Sequence, residues 1–415
     1  MYLLSPVAFA AVLWRGLRDR GYWQGLDERF GFGPPARQLP AVWLHAVSLG
    51  EVSAAAALVR ALRTRHPETS LILTTATPTG RARARELFGD GVDVRYLPYD
   101  TPGSVRRFLQ RIRPQLAVIM ETELWPNLFY ECKRIGVPLV LANARLSLKS
   151  VSRYRRLGRL FRGIFSATTL IAAQSAEDAE RFIAIGAVKG TTRVVGNLKF
   201  DLDPGMAAEQ GRALRSQYWR ERPTWIAGST HAGEEEQVLA AHAALRAEVP
   251  SALLLLVPRH PERFGSVADL LERRGLRFER RSSGRPVPPE TPALLVDTVG
   301  ELAALYASAD VAFVGGSLVP IGGHNLLEPA ALGLPVLTGP SNSNGQDIAQ
   351  LLMQQGAAVQ VADAQELAEC LRRLFDDAQL RRRTGDIARR VVELNRGSVA
   401  RLLELIEPLL AAANP

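Results

Sequence analysis

The stretch Trp43-Leu-His-Ala-Val-Ser-Leu-Gly-Glu51 passes from one kind of secondary structure to another within nine residues. From Trp43 to Val47 the run is apolar except for His45, the pattern of a strand buried on both faces. Gly50 marks a turn, and Glu51 opens a helical stretch. Val52, Ala55, Ala56, Val59 and Leu62 then recur at helical spacing over residues 51–65. Strand, turn and helix in this order form the unit of a parallel sheet wound with helices.

Outward from that stretch the unit repeats. Strands are predicted near 42–47, 70–75, 92–96, 116–120, 138–142, 169–173 and 192–195, with helices between them. Residues 201–222 are polar, poor in sheet formers and carry Pro204 and Gly205, so they read as a connection. The pattern restarts with strands near 224–228, 252–257, 294–297, 310–315 and 335–338. Ser398 is placed to cap a last amphipathic helix, which Pro408 is expected to end or kink. The reading is an α/β chain of two doubly wound, Rossmann-like domains facing a cleft, residues 31–200 and 223–415, behind an N-terminal segment of residues 1–30. GT-B glycosyltransferases and several nucleotide-sugar epimerases share this architecture, so fold alone does not settle function.

A chain of 415 residues suits two cores, and its 47% hydrophobic content is that of a folded protein. Cys132 and Cys370 match no metal or redox spacing and fit a reducing compartment. The net charge of +9 is uneven: residues 1–200 hold 29 Lys+Arg against 15 Asp+Glu, and the remainder 22 against 27. The first half is therefore expected to meet something anionic. No basic stretch interleaved with aromatics and no zinc-finger spacing points to nucleic acid. The N-terminus instead reads Tyr2-Leu-Leu-Ser-Pro-Val-Ala-Phe-Ala-Ala-Val-Leu-Trp14, then Arg15, Arg18 and Arg20. This run falls short of the roughly 20 residues that a bilayer core requires. It reads as a helix lying in the interface, with Trp14, Tyr22 and Trp23 at headgroup level, or as a helix packed on the protein's own core.

Several groups carry chemistry. Glu51 follows a strand at its carboxyl end, where wound sheets bind ligands. A carboxylate there suits a general base, although an acid in a first helical turn is also favoured by the helix dipole. A second strand ends on Glu121-Thr-Glu123, before Pro126 in the first turn of a helix. These acids would raise one another's pKa, or else serve as caps and surface charges. Lys199, in Gly196-Asn-Leu-Lys199-Phe-Asp201, suits an anionic sugar or departing phosphate but is a weak signal alone. In the second half, Arg259 ends a strand on a guanidinium able to clamp a phosphate. Gly315, Gly316, Gly322 and Gly323 then precede a helix whose N-terminus attracts a phosphate and whose Glu328 can accept from a ribose diol. Together these read as a nucleotide site. The six histidines are dispersed, no metal motif is present, and Asp201-Leu-Asp203 lies in the connection, so neither a metal nor another cofactor is expected.

In chain order, His45-Ala-Val-Ser-Leu-Gly-Glu51, Glu121-Thr-Glu-Leu-Trp-Pro-Asn127, Asn143-Ala-Arg-Leu-Ser147, Leu198-Lys-Phe-Asp201, Val257-Pro-Arg-His260 and Gly322-Gly-His-Asn-Leu-Leu-Glu328 resemble the 3-deoxy-D-manno-octulosonic acid (Kdo) transferases. The likeness runs from about residue 10 to the C-terminus. It implies a GT-B fold, a CMP-Kdo donor and an acceptor such as lipid IVA, a lipid A precursor at the cytoplasmic face of the inner membrane. By the same resemblance Glu51 is the base of an inverting transfer, while Glu121 and Lys199 stabilise its transition state. CMP contacts fall on Pro258, Arg259, Val299, Gly300, Glu301, Asn325, Leu326, Leu327 and Glu328. Family members often carry a longer apolar N-terminal segment; here the short run implies interfacial attachment or residues missing before Met1. Two other readings stay open: a UDP-sugar glycosyltransferase or epimerase, and a catalytically silent, membrane-docked nucleotide-binding protein.

Overall fold

The computed structural model describes residues 20–412, apart from Leu157 and Glu221. The N-terminal apolar run therefore lies outside the described residues. The chain divides into two compact units, residues 1–201 with 395–415, and residues 202–394.

The first unit holds seven parallel strands: β1 (Ala41–His45), β2 (Ser70–Thr75), β3 (Asp93–Tyr96), β4 (Pro114–Met120), β5 (Leu139–Ala144), β6 (Leu170–Ala173) and β7 (Thr192–Val194). Their order is β3-β2-β1-β4-β5-β6-β7. Leu44 pairs with Leu73 on one side and Val118 on the other. Alternation divides each strand between two cores. Val42 and Leu44 pack on one side with Val52, Val59 and Leu62 of helix α1 (Leu49–Arg65), whereas Ala41 and Trp43 face Phe108, Ile112 and Phe129 on the other. A strand covered on both faces has no polar side, which is why β1 reads as a nearly continuous apolar run.

The second unit repeats the plan with β8 (Thr224–Thr230), β9 (Leu253–Pro258), β10 (Phe278–Arg280), β11 (Ala293–Leu295), β12 (Val311–Val314), β13 (Val336–Thr338) and β14 (Ala358–Gln360). The order is β10-β11-β9-β8-β12-β13-β14, again all parallel. The two edge strands β10 and β14 escape sequence reading because they are only partly buried and carry no apolar run, unlike the equally short β11 and β13.

Two boundary expectations are corrected. Residues 201–222 do not form a bare connection: Gly205–Tyr218 is a helix, α2, packed on α3 (Leu302–Ala307) of the second unit. Gly211 permits that approach, since a Cβ there would lie 2.4 Å from the Ala307 Cβ. At the other end, helix α5 (Ser398–Ala412) returns to the first unit and continues through Pro408. Its apolar face, Val399, Leu402, Leu403, Ile406 and Leu410, completes the core around Val42 and Leu44. Each such buried side chain contributes about 1.5–3 kcal/mol. Asp201 fixes the start of this helix: its carboxylate oxygens accept from the Gly397 and Val399 amides, each at 2.5 Å.

Candidate active site

In a doubly wound sheet, ligands gather at the carboxyl ends of the strands where the winding direction reverses. In the first unit that point lies between β1 and β4. Glu51 follows β1 and Glu121 follows β4, so the two acids flank it.

Local rules place Glu51. Ser48 is the N-cap of α1, and Glu51 in the first turn bonds back. Its Oε2 accepts the Val47 amide at 2.8 Å and its Oε1 accepts the Ser48 hydroxyl at 3.1 Å. This reciprocal arrangement is a capping box, extended to the residue before the cap. Burial pushes the Glu51 carboxyl up to about 7, against the pull of the Val47 amide and with a further push from the charges of Glu121 and Glu123. The capping reading of the sequence is thus realised in this carboxylate. A group near 7 is half ionised at neutral pH and suits proton transfer.

Glu121 sits at φ 54°, a left-handed conformation that costs a side-chain-bearing residue roughly 1 kcal/mol. Its amide donates to the Ala142 carbonyl at 2.8 Å, so the sheet hydrogen bonding persists through the turn. Asn143, at the end of the neighbouring β5, has the same backbone conformation at φ 55°. Its Oδ1 accepts the Leu198 amide at 3.0 Å and so ties β5 to the short turn over Leu198–Phe200. From that turn Lys199 reaches Glu121, Nζ to Oε1 at 3.1 Å. The ends of β1 and β4 and the turn after β7, tied to β5 through Asn143, thereby bring together Glu51, Glu121 and Lys199. Glu123, also pushed up by burial and by Glu121, adds a further acid.

The second unit reverses winding between β8 and β12. Beyond β8 lie His231 and Glu234; beyond β12 lies the glycine-rich loop. Glu234 is fully buried and organises that loop. Its carboxylate accepts the amides of Gly316, Ser317 and Leu318 at 2.7, 3.0 and 2.9 Å, and that of His231 at 3.2 Å. Gly315 is required here, because a Cβ would fall 2.6 Å from Glu234 Oε2. Arg259 follows β9, with its amide bonded to the Thr230 carbonyl at 3.0 Å. Its charge, with those of His260 and Arg263, helps hold His231 below its usual range, burial being the larger cause.

Residues 24–202 match the family described as 3-Deoxy-D-manno-octulosonic-acid transferase (kdotransferase), and residues 294–391 match Glycosyl transferases group 1. The 3-deoxy-D-manno-octulosonic acid transferase of Haemophilus influenzae is 40% identical over 414 residues, covering 99% of this chain and 97% of that protein. The chain belongs to the Kdo transferase family. The corresponding transferase of Bordetella pertussis is 37% identical, covering 99% of each chain. Among solved structures, the UDP-GlcNAc 2-epimerase of Neisseria meningitidis aligns with a TM-score of 0.57 over 88% of this chain at 13% identity, a likeness of fold alone. Two doubly wound units and this neighbour bear out the GT-B fold.

In this Kdo transferase the other residues singled out in sequence lie at the carboxyl ends of β9, β11 and β12. Glu301 accepts from Thr298 Oγ1 at 2.5 Å and from Arg281 Nη2 at 2.7 Å. Val299 is exposed, and Gly300 has φ 90°. Asn325 donates to Glu328 Oε1 at 3.0 Å and accepts the Leu327 amide at 3.1 Å. The helix expected to offer its N-terminus to a phosphate is only Leu327–Ala331, α4, too short for much of a dipole. Nothing in the sequence pattern assigns a role to Glu234, His231 or His324. Glu234 looks like any acid in a helical first turn, and the histidines lie 93 residues apart. Strand ends at Thr230 and Val314 were the available signal.

Proposed function

We propose that this Kdo transferase moves Kdo from CMP-Kdo onto lipid IVA with inversion at the anomeric carbon, working at the cytoplasmic face of the inner membrane. The observation that carries the proposal is Glu51, held near 7 beside the Glu121–Lys199 pair at the reversal point of the first sheet. As an acceptor hydroxyl attacks the anomeric carbon, Glu51 takes its proton. The bond from that carbon to the phosphate oxygen breaks, and its electron pair leaves with CMP. One base on the face opposite the leaving group is what inversion requires. Lys199, positioned by Glu121 and Asn143, supplies positive charge to the anionic sugar. In the second unit, Arg259 is assigned to the phosphate and Glu328 to the ribose, with Pro258, Val299–Glu301 and Asn325–Leu327 as the surrounding CMP contacts. A CMP-sugar carries one phosphate, so a guanidinium suffices where a diphosphate calls for a divalent ion.

The anionic membrane surface is supported by the charge excess of residues 1–200 and by exposed Trp23, Leu26, Phe30 and Phe32 near the N-terminus. The test of function is mass spectrometry of lipid IVA incubated with the protein and CMP-Kdo generated in situ. A gain of one or more Kdo units is expected, formed about 10²–10⁴-fold more slowly with Glu51→Gln. Calorimetry with CMP against UDP separates this reading from a UDP-sugar enzyme.

A further inference from the structure

Three histidines far apart in sequence converge in the second unit. His231 Nε2 and His324 Nε2 are 2.8 Å apart, and the ring planes are 6° from parallel with centroids 5.1 Å apart. With ring bonds of about 1.33 Å each nitrogen lies ~1.15 Å from its ring centre, so one 2.8 Å contact and two ring radii account for the whole separation. The rings are therefore joined edge to edge by a nearly collinear N–H···N hydrogen bond, not stacked face to face. His260 stands against His231 at a centroid distance of 5.3 Å, with its plane turned by 78°.

Such a bond holds a single proton between the two Nε2 atoms. The couple can accept one more proton without breaking it, on the outer Nδ1 of the donating ring; a second Nε2 proton would set two N–H groups against each other. The surroundings oppose that uptake. Burial is the largest cause that lowers His324, to about 4, followed by His231, Arg259 and His260. Burial likewise leads for His231, followed by His260, Arg259 and Arg263. Among the nearby acids, Glu234 is committed to four amides and one oxygen of Glu235 to Arg263 at 2.9 Å, while the exposed Glu262 lies 3.9 Å from His260. The couple lies at the reversal point between β8 and β12, where the fold collects ligands.

We propose that the His231–His324 couple, with His260 and Arg259, forms an oxyanion subsite that takes up a proton when it receives the phosphate of the nucleotide. The subsite rests on the donor assignment above and extends it to three residues that the assignment does not include. An arriving phosphate offsets the guanidinium charge that adds to burial in keeping the couple neutral, so nucleotide binding and protonation favour each other. In the transfer step the phosphate gains a full negative charge as its bond to the sugar breaks. A protonated couple at that oxygen is then better matched to the departing CMP than to the bound donor.

The experiment is calorimetric titration of full-length protein with CMP, and in parallel with UMP, at pH 7.5 in buffers of different ionisation enthalpy. With a second phosphate pKa near 6, free CMP is then mostly dianionic, so a positive uptake reports protons gained inside the complex. Uptake of up to one proton per CMP is expected in wild type. It should vanish in His324→Gln and His231→Gln, with CMP bound roughly 10-fold or more weakly in each. Wild-type affinity should also fall between pH 6.5 and 8.5, a measurement that needs no variant. CMP binding with neither uptake nor this pH dependence overturns the subsite. Histidine-dependent uptake with UMP but no binding of CMP upholds the subsite and removes the CMP-Kdo donor instead. If neither nucleotide binds, both fall.

Discussion

Replacing Glu51 by glutamine separates its two roles, because glutamine can keep the capping box while losing the charge. Its amide oxygen can accept the Val47 amide, and its NH2 can donate to the Ser48 hydroxyl. Burial and neighbouring acids raise this carboxyl from 4.5 to about 7. The native state therefore resists ionisation that the unfolded chain accepts. Wild-type stability from this group is full below pH 4.5 and is lost as pH rises through 7. At about 1.36 kcal/mol per unit, the loss amounts to roughly 3 kcal/mol at pH 8.5, as an upper estimate. The glutamine variant escapes that loss. Its stability relative to wild type should grow by roughly 3 kcal/mol between pH 4.5 and 8.5, read from urea unfolding in the transition that the substitution shifts. Transfer should meanwhile fall by about 10²–10⁴, the usual contribution of a general base. Wild-type kcat/KM should decline tenfold per unit of pH below about 7. A stability difference that stays flat with pH would refute the raised carboxyl. Near-normal turnover of the variant would refute its role as base.

Arg259→Ala and Glu328→Ala should each weaken CMP binding about 10- to 150-fold, the loss of one charge-assisted hydrogen bond; unchanged affinity in both removes them from the nucleotide site. Lys199→Met removes the cation facing Glu121. The acidic limb of the kcat/KM profile should then move to higher pH as kcat falls, whereas a purely structural lysine would leave the limb in place. Asp201→Ala leaves the Gly397 and Val399 amides without their acceptor. A destabilisation of about 2 kcal/mol is expected, with early amide exchange in α5 as the signature. Activity should survive EDTA, and strict dependence on a divalent ion would overturn the single-phosphate argument.

Much of this protein was legible in its sequence, because both sheets are buried on two faces. Unbroken apolar runs such as Trp43–Leu44 and Leu253–Val257 mark strands whatever their partners, and helical spacing after Glu51 marks the cover. Strand ends therefore marked candidate positions for chemistry, and Glu51, Glu121 and Arg259 follow β1, β4 and β9. What sequence could not determine depends on contacts between distant segments. The raised pKa of Glu51 comes first from burial, and then from two acids some 70 residues away, brought near only because β1 and β4 are neighbours. The return of α5 to the first unit is set by a core it completes and by Asp201, which alone reads as an ordinary acid. The His231–His324 bond exists only where β8 meets β12, since neither His231 nor the glycine-rich motif around His324 shows its partner. Sequence determined the layers because burial is written along each segment. Tertiary structure decided the protonation chemistry because desolvation and charge act through space.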